Sequence, residues 1–270
     1  MPLAMNARMY SVTPAAEAAW RSLLEHVADD AGIPLDYVPY PAPQPLEALW
    51  ERDDLAMVFM CGYPFARLYP HAQPIAAPVL ALPWAEGRPV YRSDFVVRAD
   101  SPHRRLEDTF GGRLAWTVEH SHSGFNAARH HLLAFRDGER PRLYGSAVGP
   151  LVTARRIVDA VTAGDADVGP LDAWFHALLR RWAPDAVSGL RVVASTVTAP
   201  IPLLVAAPGI DPALVARLRD ALTAAHARPW FRAVAEPLLV ERFVAVGRTD
   251  YAPLLAMADA AIGAGYAMPG

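Results

Sequence analysis

The stretch YRSDFVVRADSPHRRLEDTFGGRLAWTVEHSHSGFNAARHHLL (residues 91–133) decides the fold of this chain. Residues 90–99 predict a strand, and residues 101–110 predict a short capped helix that ends at a pair of glycines. A second strand, predicted over 113–119, runs into the loop Ser-His-Ser-Gly, and a helix begins directly after that loop. A strand, a polar turn and a helix in this order indicate an α/β unit with a candidate site at the end of its strand.

Strands and helices alternate in both directions from this stretch. The segment ARMYSV (7–12) predicts a strand, Thr13 a helix N-cap, and residues 15–30 an amphipathic helix. The run LAMVFMC (55–61) is almost wholly apolar, which is typical of a strand buried on both faces in a parallel sheet. Later segments that repeat the alternation are 151–164, 165–182, 190–197, 199–208, 211–227, 241–246 and 249–264. The sequence therefore predicts an α/β protein.

We expect two Rossmann-like lobes joined by two crossing strands. Lobe 1 is predicted to contain residues 1–94 and 201–270, and lobe 2 residues 95–200, with the ligand cleft between the lobes. The strands that remain after residue 201 are too few for a third domain. The closing segment is therefore expected to return to lobe 1 and complete it.

Composition and charge argue against several classes of protein. Hydrophobic residues make up 53% of the chain and charged residues 20%, yet no apolar run approaches the roughly 20 residues of a membrane-spanning helix. The 25 basic and 28 acidic residues are spread along the chain and give a net charge of -3, so no surface for nucleic acid is predicted. The chain contains Arg but no Lys, which leaves guanidinium groups and backbone amides to hold anions. Its single cysteine, Cys61, excludes an intrachain disulfide.

The start of the chain carries no recognisable export signal. Its first 20 residues contain one Arg and no apolar core of a signal peptide. The location is predicted as cytoplasmic for the sequence as written, and as periplasmic if an export signal is missing from it.

The turn Ser121–Gly124 has the chemistry of an anion site. The first turn of a helix carries amide groups without intrahelical partners and the positive end of the helix dipole. Ser121 and Ser123 add hydroxyl donors, and Gly124 lets a ligand approach the backbone closely. A phosphonate, a phosphate or a carboxylate fits such a turn. The alternative is that Ser123 is merely the N-cap of the helix.

Four histidines near this turn raise a metal site as an alternative. His120 and His122 point the same way along the extended chain, whereas His130 and His131 lie about two helical turns further on, roughly 10 Å away. One ion does not easily reach both pairs, so we expect no metal.

An enzyme is the other alternative from the residues. Common catalytic motifs, such as Gly-x-Ser-x-Gly and His-Glu-x-x-His, are absent from the sequence. The best pair that can be assembled is Ser121 or Ser123 with His120 or His122 as base, but neighbours along an extended chain point to opposite sides. Cys61 is expected to be a core side chain rather than a nucleophile. We therefore expect a protein that is not an enzyme.

Further candidate ligand contacts lie where predicted strands end. Ligands of open α/β lobes bind beyond the carboxyl ends of the strands. Besides the Ser121–Gly124 turn, those ends carry Tyr10, Ser11, Tyr63 and Asp172, which we expect to face one cleft. Tyr63 offers a hydroxyl for an anion or a ring for an organic group. For Asp172, complementing the dipole of the following helix is the alternative.

The order and spacing of these segments resemble the phosphonate-type group of type 2 solute-binding proteins that serve ABC transporters. The resemblance lies in residues 91–133, with their Gly-Gly turn and Ser-x-Ser-Gly loop, in AVTAGDADVGPLDAW (160–174) and in TAPIPLLVAAPGIDPALVARLRDAL (198–222). It implies a two-lobed type 2 periplasmic-binding-protein fold, a small phosphonate- or phosphate-like oxyanion as ligand, an ABC permease as partner, and no cofactor. It also implies that Asp172 receives a ligand ammonium group.

His122 departs from this family's pattern, which usually has Thr in its place. An imidazole donates to an oxyanion best when it is protonated, so we expect affinity to rise as the pH falls toward about 6.5. The alternative is that the imidazole, being larger than Thr, narrows the pocket or excludes phosphonate from it. Two further functions remain open: a cytosolic ligand sensor of the same fold, and an enzyme similar to relatives of this fold in pyrimidine biosynthesis.

Overall fold

The computed structural model describes residues 2–268, in which strands and helices alternate. The strands are β1 (Leu3–Asn6), β2 (Leu35–Tyr37), β3 (Leu55–Met60), β4 (Gln73–Leu80), β5 (Val90–Tyr91), β6 (Ser93–Arg98), β7 (Arg113–Ala115), β8 (Ser146–Val148), β9 (Gly169–Asp172), β10 (Leu190–Ser195), β11 (Ala199–Pro200), β12 (Leu203–Ala206) and β13 (Val240–Val244). The α-helices are α1 (Pro14–Ala31), α2 (Leu46–Trp50), α3 (Gly62–Arg67), α4 (Ala127–Leu132), α5 (Ala154–Ala163), α6 (Ala173–Trp182), α7 (Pro212–Ala224), α8 (Phe231–Ala235) and α9 (Ala252–Gly263). Within residues 2–268, no helix combines the length and the apolar character needed to span a membrane.

The chain forms two compact units. Unit 1 comprises the chain up to Val90 together with Pro200–Tyr251, and unit 2 comprises Tyr91–Ala199 together with the chain from Ala252 on. The chain therefore passes between the units three times, where the sequence predicts two crossings.

Unit 1 is built on a mixed six-stranded sheet with the order β13-β4-β12-β3-β1-β2. Strand β1 pairs in parallel with β2 and β3, as the apolar run of β3 predicts. Strand β12, which brings the chain back to this unit, lies antiparallel between β3 and β4. Trp20 of α1 is fully buried, and its ring meets Phe59 edge-on at 5.0 Å. The sheet is thus parallel on the side of β1 and antiparallel where the returning segment enters.

The first strand lies earlier than the sequence predicts. We expected residues 7–12, but the strand is Leu3–Asn6, and a 3-10 turn follows at Arg8–Tyr10. The Asn6 side chain accepts the Arg8 amide at 2.7 Å, which closes the chain into a turn and ends the strand. The predicted start of α1 is confirmed, since the Thr13 hydroxyl accepts the amide of Ala16 at 3.1 Å.

Unit 2 has a three-stranded antiparallel sheet, β10-β6-β9, beside the parallel pair β7-β8. Leu114 of β7 bridges in parallel to Val168, just before β9, and this bridge connects the pair β7-β8 to the three-stranded sheet. The buried cluster under these strands contains Phe95, Val97, Leu106, Leu114, Ala128, Leu132, Leu143, Tyr144, Val168 and Tyr266. The polar turn between β7 and α4 therefore stands on a packed core.

Residues 252–268 belong to unit 2, whereas the sequence predicts residues 201–270 in lobe 1. The Asn126 side chain donates to the Leu254 carbonyl at 3.0 Å, and Arg129 donates to the Ala267 carbonyl at 2.7 Å. Tyr266 is buried in the core cluster of unit 2. These contacts tie α9 and the residues after it to the helix that follows the Ser121–Gly124 turn.

Candidate functional site

The Ser121–Gly124 turn opens a helix in unit 2, as predicted, but Ser121 and not Ser123 is its N-cap. Ser121 is extended, with φ -76° and ψ 131°, and its Oγ accepts the Gly124 amide at 3.1 Å. The first turn, His122–Asn126, is a π-helix in which the Asn126 amide donates to the Ser121 carbonyl at 3.0 Å. Such wide turns recur at functional sites. The first amides of the turn have no acceptor within the helix and point out of its N-terminus.

The two serines of the turn differ in their hydrogen bonds. Ser121 uses its hydroxyl oxygen as an acceptor, so its proton is left to donate. The Ser123 side chain is half-buried, and within the part of the chain that the structure describes its hydroxyl has no hydrogen bond. Its carbonyl accepts the Ser93 hydroxyl at 2.9 Å. Both hydroxyls are therefore able to donate at the opening of the helix.

Gly124 is required for packing, and its role in letting a ligand approach the backbone stays a prediction. A Cβ added at Gly124 would lie 2.1 Å from Thr117 Oγ1 and 2.7 Å from Thr117 Cγ2. The Thr117 amide also donates to the Gly124 carbonyl at 3.2 Å. The turn therefore lies directly on the Thr117 side chain, with no space for a larger residue.

His122 is a neutral, buried side chain. The residue is 1% exposed, its ring centre lies 5.8 Å from that of Tyr91, and burial lowers its pKa from 6.5 to about 3. The amide nitrogen of Asn126 donates to the Leu254 carbonyl, and its oxygen accepts from Arg129 at 3.3 Å. The same nitrogen lies 3.2 Å from His122 Nδ1, so Nδ1 accepts and Nε2 carries the ring proton. The expectation that His122 gains a proton near pH 6.5 is therefore wrong.

The remaining histidines of the stretch do not gather around one point. His131 packs against Phe95 at 5.3 Å between ring centres, and burial lowers its pKa. His130 is half-buried on the neighbouring position of α4. Within residues 2–268, no group of three or more His, Cys, Asp or Glu side chains is placed to hold a metal ion.

Asp172 lies close to the turn within unit 2. It pairs across the sheet with Ser93, the residue that bonds the Ser123 carbonyl. Its Oδ1 accepts the amides of Trp174 at 2.9 Å and Phe175 at 3.1 Å, so it is the N-cap of α6. Asp172 therefore caps a helix, as the alternative interpretation states, in a position adjacent to the Ser121–Gly124 turn.

A buried polar network in unit 2 was missed by the sequence analysis. The Asp94 carboxylate lies 3.2 Å from His176 Nδ1, accepts the Ser195 hydroxyl at 2.7 Å and is 3.6 Å from Arg92 Nε. His176 is 1% exposed and Asp94 8%. The signal was present in the sequence, because Ser93 and Asp94 are polar residues directly before the apolar run 95–97.

Asp94→Asn is expected to lower the free energy of unfolding by about 2 kcal/mol, since it weakens charge-assisted bonds in a buried site. Urea unfolding at neutral pH measures this loss. Asp159→Asn is the matched control, because Asp159 makes an exposed ion pair with Arg155 in the same unit, and a change of at most about 0.5 kcal/mol is expected there. Equal effects of the two substitutions would contradict a structural role for the Asp94 network.

The other predicted contacts belong to unit 1. Tyr10 is buried and meets Phe59 edge-on at 5.4 Å, while the Ser11 hydroxyl donates to the Ala7 carbonyl at 3.0 Å. Tyr63 is 5% exposed on α3, with the Arg67 guanidinium 5.9 Å from its ring centre. A ligand contact by Tyr10, Ser11 or Tyr63 stays a prediction.

Comparisons with known proteins identify the family. Residues 11–251 match the family described as ABC transporter, phosphonate, periplasmic substrate-binding protein. No curated protein matches the sequence at a significant level.

Solved structures show the same fold. A binding protein component of an ABC phosphonate transporter from Pseudomonas aeruginosa is similar with a TM-score of 0.80 at 16% identity, over 98% of this chain and 88% of that one. PhnD1 from Prochlorococcus marinus, in complex with methylphosphonate, is similar with a TM-score of 0.77 at 15% identity, over 96% and 97%. A Xanthomonas citri protein bound to ATP gives 0.66 at 18% identity, over 98% and 97%. The predicted type 2 periplasmic-binding-protein fold is confirmed, and the chain belongs to the family of periplasmic substrate-binding proteins of phosphonate ABC transporters.

Proposed function

We propose that this substrate-binding protein captures a small phosphonate-like oxyanion at the Ser121–Gly124 turn for delivery to an ABC permease. The observation that carries the proposal is the pair of serine hydroxyls at the opening of the helix. Ser121 holds the turn together through its oxygen and keeps its proton, and Ser123 has its hydroxyl available. A phosphonate group presents three oxygens, which accept such hydroxyl protons and the amides of a first helical turn.

Neutral donors would bind the anion on this turn. His122 stays neutral at physiological pH because burial holds its pKa near 3. The Arg129 guanidinium, one helical turn further on, donates to the Asn126 side chain and the Ala267 carbonyl. Hydroxyl and amide dipoles in a fixed arrangement stabilise an anion without a counter-charge in the turn. We therefore propose that the turn selects its ligand by the geometry of the ligand's oxygen atoms, which must match the fixed hydroxyl and amide donors.

Asp172 supplies a second part of the proposal. Its place opposite Ser93 supports a role in holding a ligand ammonium group, as an aminophosphonate would carry. Its Oδ1 accepts two amides at the start of α6, and the negative charge of the carboxylate is the feature proposed to attract the ammonium group. A ligand contact by Tyr10, Ser11 or Tyr63 of unit 1 is kept as a separate prediction.

A binding role without catalysis is proposed. An activated serine needs a base within hydrogen-bonding distance, whereas the Ser121 oxygen accepts the Gly124 amide. The Ser195, His176 and Asp94 network also lacks the order of a catalytic triad, because Ser195 bonds the carboxylate and not the imidazole. These contacts support a receptor over an enzyme.

Loss of either serine hydroxyl is expected to weaken binding at least tenfold, since each bond to a charged acceptor contributes about 1.5–3 kcal/mol. The purified protein is titrated with methylphosphonate, 2-aminoethylphosphonate, phosphate, phosphite, sulfate, acetate and zinc by calorimetry and thermal shift. A ligand at a hundred times its Kd should stabilise the fold by about 2.7 kcal/mol. The variants are Ser121→Ala and Ser123→Ala.

Ser188→Ala is the matched control for these variants, because Ser188 is an exposed serine of unit 2 whose hydroxyl bonds the Asp185 carbonyl at 3.0 Å. Full oxyanion affinity in both serine variants would refute the site. Stabilisation by zinc alone, or by none of the compounds, would refute the oxyanion ligand.

A further inference from the structure

We infer that Ser93 is a positioning residue for the anion turn and acts through a chain of hydrogen bonds that ends at the Ser121 hydroxyl. The inference rests on the proposed function, because it assigns the residue that orients one of the proposed ligand donors. Ser93 lies on β6, outside the turn itself and outside the set of predicted contacts.

The first link joins β6 to the turn. The Ser93 side chain is buried, with the residue 1% exposed, and its Oγ donates to the Ser123 carbonyl at 2.9 Å. The backbone of Ser93 is itself held by Thr196, whose Oγ1 accepts the Ser93 amide at 3.0 Å and whose amide donates to the Ser93 carbonyl at 2.9 Å. The hydroxyl of Ser93 therefore acts from a fixed backbone.

The second link crosses one peptide group. The Ser123 carbonyl and the Gly124 amide belong to the same planar trans unit, so they point in opposite directions. With the carbonyl held by Ser93, the Gly124 amide is directed at Ser121 Oγ, 3.1 Å away. A bond to the carbonyl oxygen also polarises the peptide and strengthens its amide as a donor.

The third link reaches the ligand. Ser121 Oγ accepts the Gly124 amide with one lone pair, which fixes the rotamer of the serine and leaves its proton to be donated. A hydroxyl that accepts a strong hydrogen bond becomes a stronger donor. Ser93 thus orients and strengthens the Ser121 donor without touching the ligand.

Calorimetric titration with methylphosphonate and with phosphate tests the assignment. Ser93→Ala is expected to raise the Kd about fivefold, the effect of one neutral hydrogen bond. Ser93→Thr keeps the hydroxyl on a strand position that suits Thr, and its Kd is expected to return to within about twofold of the original. Ser188→Ala is expected to leave the Kd unchanged, because its hydroxyl bonds a carbonyl far along the chain from the turn.

The Gly124 amide provides a readout that a general loss of packing would not move. In the ligand-free protein, the 1H and 15N chemical shifts of the Gly124 amide are expected to change in Ser93→Ala. In Ser93→Thr and in Ser188→Ala they are expected to match those of the unmodified protein. The Gly164 amide, which donates to the Val161 carbonyl at 3.1 Å, serves as the internal reference within unit 2. Circular dichroism at the titration temperature verifies that each variant is folded.

The outcomes separate this inference from the proposed function. If the unmodified protein binds an oxyanion and Ser93→Ala binds it equally well, the positioning role fails and the proposed function stands. If no oxyanion binds to the unmodified protein, the proposed function fails. In that case an unmoved Gly124 amide in Ser93→Ala also overturns the hydrogen-bond chain, while a moved one supports it.

Discussion

Gly124→Ala is expected to lower the free energy of unfolding by about 3 kcal/mol, the upper part of the range for overpacking a core. The new Cβ would come within 2.1 Å of Thr117 Oγ1 and 2.9 Å of Thr117 Cβ, distances that real Cβ atoms do not adopt. For a chain of this size the loss corresponds to about 6–12 °C in Tm. Since the Gly124 amide also orients Ser121, anion binding is expected to disappear in the same variant.

Two further variants isolate this clash. Gly189 lies in the same unit, and a Cβ added there meets nothing within 4 Å, so Gly189→Ala is expected to change the unfolding free energy by at most about 0.5 kcal/mol. Combining Gly124→Ala with Thr117→Ala removes the two nearest atoms and is expected to restore part of the lost stability. A Gly124→Ala protein with unchanged Tm and Kd would mean that the turn does not rest on Thr117.

Local signals in the sequence predicted the elements that local physics determines. The Thr13 cap and Pro14 define the start of α1, and the apolar run 55–61 predicts the buried strand β3. The Ser-His-Ser-Gly loop predicts a helix start with exposed amides, and the helix does begin there. Each of these predictions depends only on residues that are neighbours in the sequence, within a single helical turn or a single strand.

The features that sequence reasoning missed depend on contacts between distant segments. Asp94 and His176 are 82 positions apart, so only the packing of α6 against β6 brings them together. Position 124 requires glycine because the Thr117 side chain packs directly against it. The spacing of the two residues in the sequence does not reveal that contact. The sequence predicted the C-terminal segment in lobe 1, whereas its hydrogen-bond partners are in unit 2. Those partners, Asn126 and Arg129, precede the segment by more than a hundred residues, so no local pattern shows the contact.

Protonation of His122 in the unfolded chain is expected to lower the stability of the protein between pH 6.5 and pH 4. Burial lowers the pKa of this side chain from 6.5 to about 3, so below pH 6.5 the unfolded chain takes up a proton that the folded chain does not. His122 therefore does not affect the free energy of unfolding above pH 6.5, and it lowers that free energy as the pH falls below 6.5. The expected loss is about 2 kcal/mol at pH 5 and about 3 kcal/mol at pH 4.

His122→Gln isolates this effect, because its carboxamide oxygen accepts the Asn126 amide but does not titrate. Urea unfolding at pH 7.5, 5 and 4 should show a loss for the unmodified protein that exceeds the variant's by about 3 kcal/mol at pH 4. Parallel losses in the two proteins would mean that His122 protonates freely in the folded state and that a cation is present in the turn. A steeper loss in the unmodified protein would instead leave Ser121, Ser123 and the backbone amides as the donors proposed for the anion.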